Sequence, residues 1–295
     1  MQKQPSGVQL WILGARPRTL PAAFVPVFVA VGRAISQDVA EKKMWLGAFC
    51  ALVVSVALQV GVNYANDYSD GIKGTDNQRV GPLRLVGSGL VPARNVKIAA
   101  IIAFGIAAVF GLFIALSTTL ALIPVGILCI AAGWLYTGGP KPYGYFGLGE
   151  LFVFVFFGLV ATCGSVYAIT QTIDGVTWMA ACVVGLLSCA LLVVNNLRDI
   201  PGDTQSNKKT LAVRLGDAKT RQMYVSMFLV VAILLIGLSA TDASVLISLF
   251  GLLAAVPAIK AVLSGAQGKD LIPVLGATGK AQLIVGLLLA VGLAV

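Results

Sequence analysis

The sequence predicts an all-α membrane protein, a bundle of nine transmembrane helices. Two observations carry this. Of 295 residues, 58% are hydrophobic and only 11% charged, whereas a soluble domain carries about 25% charged residues; the mean hydropathy is +0.92. The apolar residues also come in runs of about twenty, the length that spans a bilayer core of roughly 30 Å as helix.

The runs lie near 19–36, 44–63, 96–115, 119–136, 150–170, 177–195, 222–239, 244–263 and 275–295. Gly or Pro interrupts the first, third and sixth, which membrane helices tolerate. The segment before the first run, MQKQPSGVQLWILGARPRTLP, has no compact apolar core followed by small residues, so no cleaved signal peptide is expected. An odd number of spans puts the termini on opposite sides. With the N-terminus cytoplasmic, only Arg33, Lys42 and Lys43 of the 21 Lys and Arg fall outside, leaving 18 inside. The C-terminus then lies outside. The net charge of +9 is therefore mainly a topology signal, and a nucleic-acid partner is not expected. The chain reads as one domain, 1–295, with cytoplasmic site loops at 64–95, 137–149 and 196–221.

The residue inventory excludes several chemistries. There is no histidine, so His-based proton relays, Ser-His-Asp hydrolysis and His-ligated zinc or haem are ruled out. Any metal must be hard and oxygen-bound, such as Mg²⁺. Cys50, Cys129, Cys163, Cys182 and Cys189 all fall in apolar runs without a CxxC, as buried small hydrophobes do. No disulfide framework is implied.

The second run closes on NYANDYSDGIKGTDNQRVGPLR, residues 63–84. Asn63, Asp67 and Asp70 stand at i, i+4 and i+7. The sixth run closes on NNLRDIPGDTQSNKKTLAVRLGD, where Asn195, Asp199 and Asp203 stand at i, i+4 and i+8. If each helix continues beyond its apolar part, either set shares one face, although Pro201 is expected to end the second helix early. The pair forms a weak internal repeat. Two solvated loops with ordinary charges are the plain alternative. Yet a centrally buried Asp costs about 2.5–3.5 kcal/mol on insertion scales, so something must offset clustered carboxylates here. Divalent cations and the neighbouring Lys and Arg both qualify. One ligand suits carboxylates and cations together, a Mg²⁺-bound diphosphate. No GxxxxGK[ST] or GxGxxG cradle is present, and a calcium loop aligned on Gly71 fits poorly, with Asn66, Tyr68 and Asp70 at positions one, three and five and Asn77 where a bidentate Glu is needed.

Between runs four and five lies YTGGPKPYGYFGLGE, residues 136–150. Tyr136, Lys141, Tyr143 and Tyr145 supply flat faces, hydroxyls and one cation. They form either an interfacial aromatic belt or a pocket for an aromatic, anionic co-substrate.

These motifs, together with ARPRTLPAAFVPV near the N-terminus, resemble the UbiA superfamily of intramembrane aromatic prenyltransferases over nearly the whole chain. The resemblance implies nine helices around a central cavity open to the cytoplasm and laterally to lipid. It implies that Asn63, Asp67 and Asp70, with Asn195, Asp199 and Asp203, bind a Mg²⁺–diphosphate head. The metal ligands are then Asp67, Asp70, Asp199 and Asp203. Lys73, Arg79, Arg198, Lys208 and Lys209 become a cationic clamp, with Arg16, Asn66, Arg84 and Tyr136 also lining the substrate site. Asp76, Lys141 or Tyr143 would orient or deprotonate the acceptor.

Within the superfamily the chain is most similar to the branch that prenylates 1,4-dihydroxy-2-naphthoate. That implies Mg²⁺-dependent transfer from polyprenyl diphosphate, with loss of CO₂ and diphosphate, in menaquinone biosynthesis. The expected setting is a bacterial cytoplasmic membrane, with no obligatory protein partner. Rival readings are transfer to 4-hydroxybenzoate or homogentisate, and a cation-coupled transporter. The sequence departs from the general pattern twice. Gly74 stands where NDxxDxxxD places its last Asp, with Asp76 two residues later, and Asn207 replaces the Gly of GKxT.

Overall fold

The computed structural model describes residues 7–75, 81 and 83–295. Asp76 and Arg79, two expected site residues, lie outside the described residues. The described chain is helical, without strands. In order it forms α1 (Gly7–Ala15), α2 (Pro21–Ser36), α3 (Glu41–Ile72), α4 (Ala93–Ser117) and α5 (Leu122–Leu135). Then follow α6 (Gly149–Thr170), α7 (Gly175–Gln205), α8 (Leu211–Leu238), α9 (Ala243–Leu263) and α10 (Gly268–Ala294).

Local chemistry sets these boundaries. Pro21 opens α2, where its missing N–H costs nothing. Arg16 takes a left-handed φ of 55° before it, and the segments Gly7–Thr19 and Pro21–Ser36 meet at 57°. Asp174 caps α7 by accepting from Thr177 N and Oγ1 at 2.8 and 2.7 Å. Thr210 caps α8 in the same way.

Among the described residues, seven helices are long and apolar enough to cross a membrane, eight if the bent first pair is one span. The nine expected spans each correspond to a helix, but length does not carry a count of nine. The shortfall is α5. Its 14 residues reach about 21 Å at 1.5 Å per residue, because the Gly- and Pro-rich turn after Leu135 stops it.

Two further expectations are corrected. Residues 64–72 and 196–205, expected as loops, are helix, as are 211–221. Nor does Pro201 end α7, which continues to Gln205. A proline removes only its own N–H and crowds the carbonyl four residues earlier, so later residues still bond back. Thr204 Oγ1 donates to Ile200 O at 2.8 Å, and Ser206 N to Gly202 O at 2.9 Å. The helix ends at Asn207, whose φ of 55° is left-handed. Asn is the commonest substitute for Gly there, which accounts for Asn207 in the place of the motif glycine.

The helix α7 is the most enclosed. Two thirds of its apolar window is buried, against one third for α3, α4, α8 and α9. Leu187, Leu191 and Val194 of α7 join Tyr224 and Leu235 of α8, Val285 and Leu289 of α10, and Val25 and Val29 of α2 in the main core. Backbones approach closely at small residues, as membrane packing favours: a Cβ on Gly158 of α6 would collide with Gly185 Cα of α7. The outward faces stay apolar, with Trp45, Phe49, Ile101, Val109, Ile127, Leu229, Ile233 and Phe250 exposed. Such a surface is compatible with lipid rather than water, as in a polytopic membrane protein.

Candidate active site

A cavity of about 1490 Å³ runs inside the bundle. On α3 its lining extends from Ala51 through Val54, Leu58 and Val62 to Asn63, Asn66 and Asp70. That path is about 28 Å long at 1.5 Å per residue. It changes from apolar to charged where α3 outruns its apolar stretch. The helix α7 brings Asn195, Arg198, Asp199 and Asp203 to the same cavity. Arg16, Lys73, Arg84, Tyr136, Tyr143 and Lys208 complete the expected residues found there. The two acidic clusters, 132 residues apart in sequence (195 minus 63), therefore meet at one site.

Tyr145 organises the α3 side. Its hydroxyl donates to Asp70 Oδ1 at 2.8 Å, while Lys208 Nζ pairs with Asp70 Oδ2 at 3.2 Å. Both Lys208 and Lys73 place their ammonium over the Tyr145 ring, 4.7 and 5.0 Å from its centre. Lys73 Nζ also donates to Thr137 O at 2.6 Å. Burial holds the Lys73 amine below its ordinary pKa and Lys208 adds to this, while Asp70 opposes it.

On the α7 side, Arg198 grips Asp199 with two donors, Nε to Oδ1 at 2.7 Å and Nη2 to Oδ2 at 2.8 Å, and Nη2 also reaches Asn195 Oδ1 at 2.8 Å. Its Nη1 is buried with no hydrogen-bond partner among the described residues. Asn63 Nδ2 donates to Ala15 O at 2.9 Å and Gln59 Nε2 to Thr19 Oγ1 at 2.8 Å, which ties the Arg16 corner to α3. Asn66 Oδ1 accepts from Thr137 Oγ1 at 2.8 Å.

Aromatic rings form one wall. Tyr143 stacks on Phe152 at 3.9 Å and faces Tyr136 at 5.4 Å. A π-helical stretch of α6, Phe154–Val160, adds Phe156, Phe157 and Val160. Burial raises the Tyr136 hydroxyl well above its ordinary pKa, reinforced by Glu150, Tyr143, Asp70 and Asp203; burial also raises Tyr143.

Four expected assignments are corrected. Asp67 does not line the cavity, because its two oxygens accept from Leu85 N and Val86 N at 2.8 and 3.0 Å. Lys141 is exposed and outside the cavity, on a turn that buries its neighbour Pro142 instead. Lys209 is exposed too, and contributes through its backbone, its N–H donating to Tyr145 O at 3.0 Å. Tyr143 presents a ring face rather than a working hydroxyl, since that hydroxyl donates to Ala132 O at 2.9 Å.

Sequence reasoning left three residues here unassigned. Tyr145 was one aromatic among several in its loop. Asn196, beside Asn195, lines the cavity and donates from Nδ2 to Glu150 Oε1 at 3.0 Å. Glu150 is buried outside both clusters, and its Oε2 has no hydrogen-bond partner among the described residues.

Among the described residues, no group of three or more His, Cys, Asp or Glu could hold a metal by itself. Mg²⁺ does not need one, as it is usually bound by one or two carboxylates plus substrate phosphates and water. Asp70 on one helix and Asp199 or Asp203 on another line the cavity and are available for that role. The spare Arg198 Nη1, with Lys73 and Lys208, fits the phosphate oxygens.

The model of the UbiA prenyltransferase family matches residues 21–272. The chain belongs to this family. It is 50% identical over 284 residues, 96% of each chain, to 1,4-dihydroxy-2-naphthoate octaprenyltransferase of Mycobacterium tuberculosis. It is 36% identical over 296 residues, covering 97% of this chain and 96% of the relative, to the protein of that name in Haemophilus influenzae. Two solved UbiA homologues share the fold. The apo protein of Aeropyrum pernix K1 aligns with a TM-score of 0.70 at 17% identity, covering 90% of this chain and 95% of that one. The Archaeoglobus fulgidus homologue bound to GPP and Mg²⁺ aligns at 0.64 and 14% identity, covering 94% and 99%.

Proposed function

We propose that this UbiA-family chain transfers a polyprenyl group from polyprenyl diphosphate to 1,4-dihydroxy-2-naphthoate. The reaction releases diphosphate and CO₂ and gives demethylmenaquinol for menaquinone biosynthesis. The observation that supports it best is the cavity. It joins carboxylates and cations from α3 and α7 to a long apolar lining, so it suits a ligand with a charged head and a greasy tail. The naphthoate acceptor follows the relatives that are half identical over almost the whole chain.

Asp70, Asp199 and Asp203 would hold Mg²⁺ with the diphosphate. Held there, the ion would supply charge neutralisation to the leaving group. Lys73, Lys208, Arg84 and Arg198 bind the remaining phosphate oxygens, where charge grows as the allylic C–O bond breaks. Tyr136, Tyr143, Phe152 and Phe156 exclude water from the allylic cation and offer it ring faces. The naphthoate carbon that bears the carboxylate forms the new C–C bond. Loss of CO₂ then restores aromaticity, so no strong base is required. That suits a chain without histidine and a Tyr143 hydroxyl already engaged. The setting is a bacterial cell membrane, which supplies the prenyl tail from lipid, with the N-terminus and the charged site on the cytoplasmic side.

The test is product mass spectrometry on the purified protein in lipid nanodiscs. It is given dihydroxynaphthoate, 4-hydroxybenzoate or homogentisate with prenyl diphosphates of several lengths. A prenylated, decarboxylated product from dihydroxynaphthoate is expected. Product from another acceptor alone would overturn the reading, and ion uptake into proteoliposomes without diphosphate release would point to a transporter.

A further inference from the structure

Asp67 differs from the other carboxylates of the two clusters. At 3.6 residues per turn, Asn63, Asn66 and Asp70 fall within about 60° of one another and line the cavity. Asp67 lies about 40° from Asn63 on the opposite side from Asn66, toward Gly71, and does not line the cavity. It is buried, at 1% exposure, and receives two consecutive backbone N–H groups, from Leu85 and Val86. Hydrogen bonds to a carboxylate are charge-assisted and about twice as strong as neutral ones.

The surroundings repeat the contact. A Cβ on Gly71, one turn beyond Asp67, would meet Val86 Cβ at 2.5 Å, so Val86 lies directly on α3. Leu85 is fully buried in a cluster with Tyr64, Ala65 and Val96. Val91 N closes back on Leu85 O at 3.1 Å, and Ser88 N on Arg84 O at 3.1 Å. Immediately before the two bonded amides, Leu83 and Arg84 turn into the cavity.

We infer that Asp67 is a positioning residue rather than a metal ligand: its carboxylate clips the connector between α3 and α4 to the helix and thereby sets Arg84 at the charged end of the cavity. The division of labour within the first acidic cluster is then clear. Asp70 faces the ligand, and Asp67 holds the segment that delivers an arginine to it. The functional consequence rests on the diphosphate reading above, but the clip itself does not.

The experiment compares Asp67→Asn, Asp67→Glu, Asp70→Asn, Arg84→Gln and the Asp67→Asn/Arg84→Gln double variant in nanodiscs. Hydrogen exchange of the peptide spanning Leu85 and Val86 is expected to accelerate in Asp67→Asn and to be unchanged in Asp70→Asn. Binding of a non-hydrolysable prenyl thiodiphosphate should weaken about tenfold in Asp67→Asn, the scale of one lost hydrogen bond to a charged group. Its half-saturating Mg²⁺ concentration should stay at the wild-type value, while that of Asp70→Asn rises. The double variant should bind no worse than Arg84→Gln alone, because both remove the same contribution. Asp67→Glu keeps both acceptors and is the arm to read if Asp67→Asn fails to fold. A raised Mg²⁺ requirement in either Asp67 variant, with exchange at Leu85 and Val86 unchanged, would overturn the assignment. Loss of naphthoate prenylation with these binding and exchange results intact would strike the proposed reaction alone.

Discussion

At the charged end of the cavity, opposite charges neutralise one another. Asp70 is paired with Lys208, and Asp199 with Arg198. Lys73 lies at the edge of this arrangement, with its amine held below the ordinary lysine value chiefly by burial. The positive charge is therefore lost at lower pH than that of a free lysine. The KM for prenyl diphosphate is expected to climb as pH rises into that window, and Lys73→Arg should flatten the climb, since Arg keeps its charge. A profile of KM against pH for the two proteins checks this. An identical climb in both would assign the titration elsewhere.

The same scale shows why spacing misled at one residue. Steps of three and four along a helix both leave residues on a shared face. From Asn63 and Asp70 alone, Asn66 and Asp67 are both admissible as the residue between. Only the path of the connector over α3 takes Asp67 out of the cavity. Lys141, read as the cation of its loop, and Lys209, implied by the resemblance, are exposed for a related reason: in a turn the facing of a side chain is set by its neighbours, here the buried Pro142 and the backbone bond from Lys209 to Tyr145.

Among the elements, α7 and α6 hold the site in register. Arg198 and Asp199 extend from the most enclosed helix of the bundle, whose buried face packs on α8, α10 and α2. The helix α6 brings the aromatic wall against it, with close approach at Gly158 and Gly185. Gly158→Ala places a Cβ against backbone that has no side chain to swing aside. Overpacking of this kind costs about 1–3 kcal/mol, so the thermal midpoint in detergent should fall. Gly105→Ala on α4, whose added Cβ meets nothing within 4 Å, should leave it unchanged or slightly raised. Equal midpoints for both variants would mean that α6 and α7 are not in firm contact. Membrane packing favours such glycines. In the sequence Gly185 reads only as a tolerated interruption of the sixth run and Gly158 is not singled out, because nothing in a single chain says which glycine faces another helix.

Over the whole molecule, the cavity couples a charged end to an apolar length that continues past Leu58 to Ala107, Gly111, Gly126 and Gly164. Side chains added at the last three glycines would meet nothing within 4 Å, so each leaves open space. Under the proposed reaction this length receives the prenyl tail. Gly164→Phe is expected to reduce kcat/KM for long prenyl diphosphates by tenfold or more, about 1.4 kcal/mol, while short donors retain activity. Competition between a long and a short donor, read by product mass, checks it. An unchanged product ratio would place the tail on another path.

The sequence by itself determined the class of the protein. Runs of apolar residues in a chain with so little charge admit only membrane-spanning helices, because backbone groups in hydrocarbon must bond within their own segment. It also located the polar ends, since carboxylates beside cations where a greasy helix closes need a charged ligand or one another. Tertiary structure decided the rest. That α7 runs through Pro201 depends on bonds formed after the proline. That Tyr145 joins Asp70, Lys73 and Lys208 depends on a turn folding back over two helices. That Asp67 holds the chain while Asp70 faces the cavity depends on which neighbour each meets. Composition and period fix what a segment must bury, but the facing of a single polar side chain is set by contacts between residues far apart in sequence.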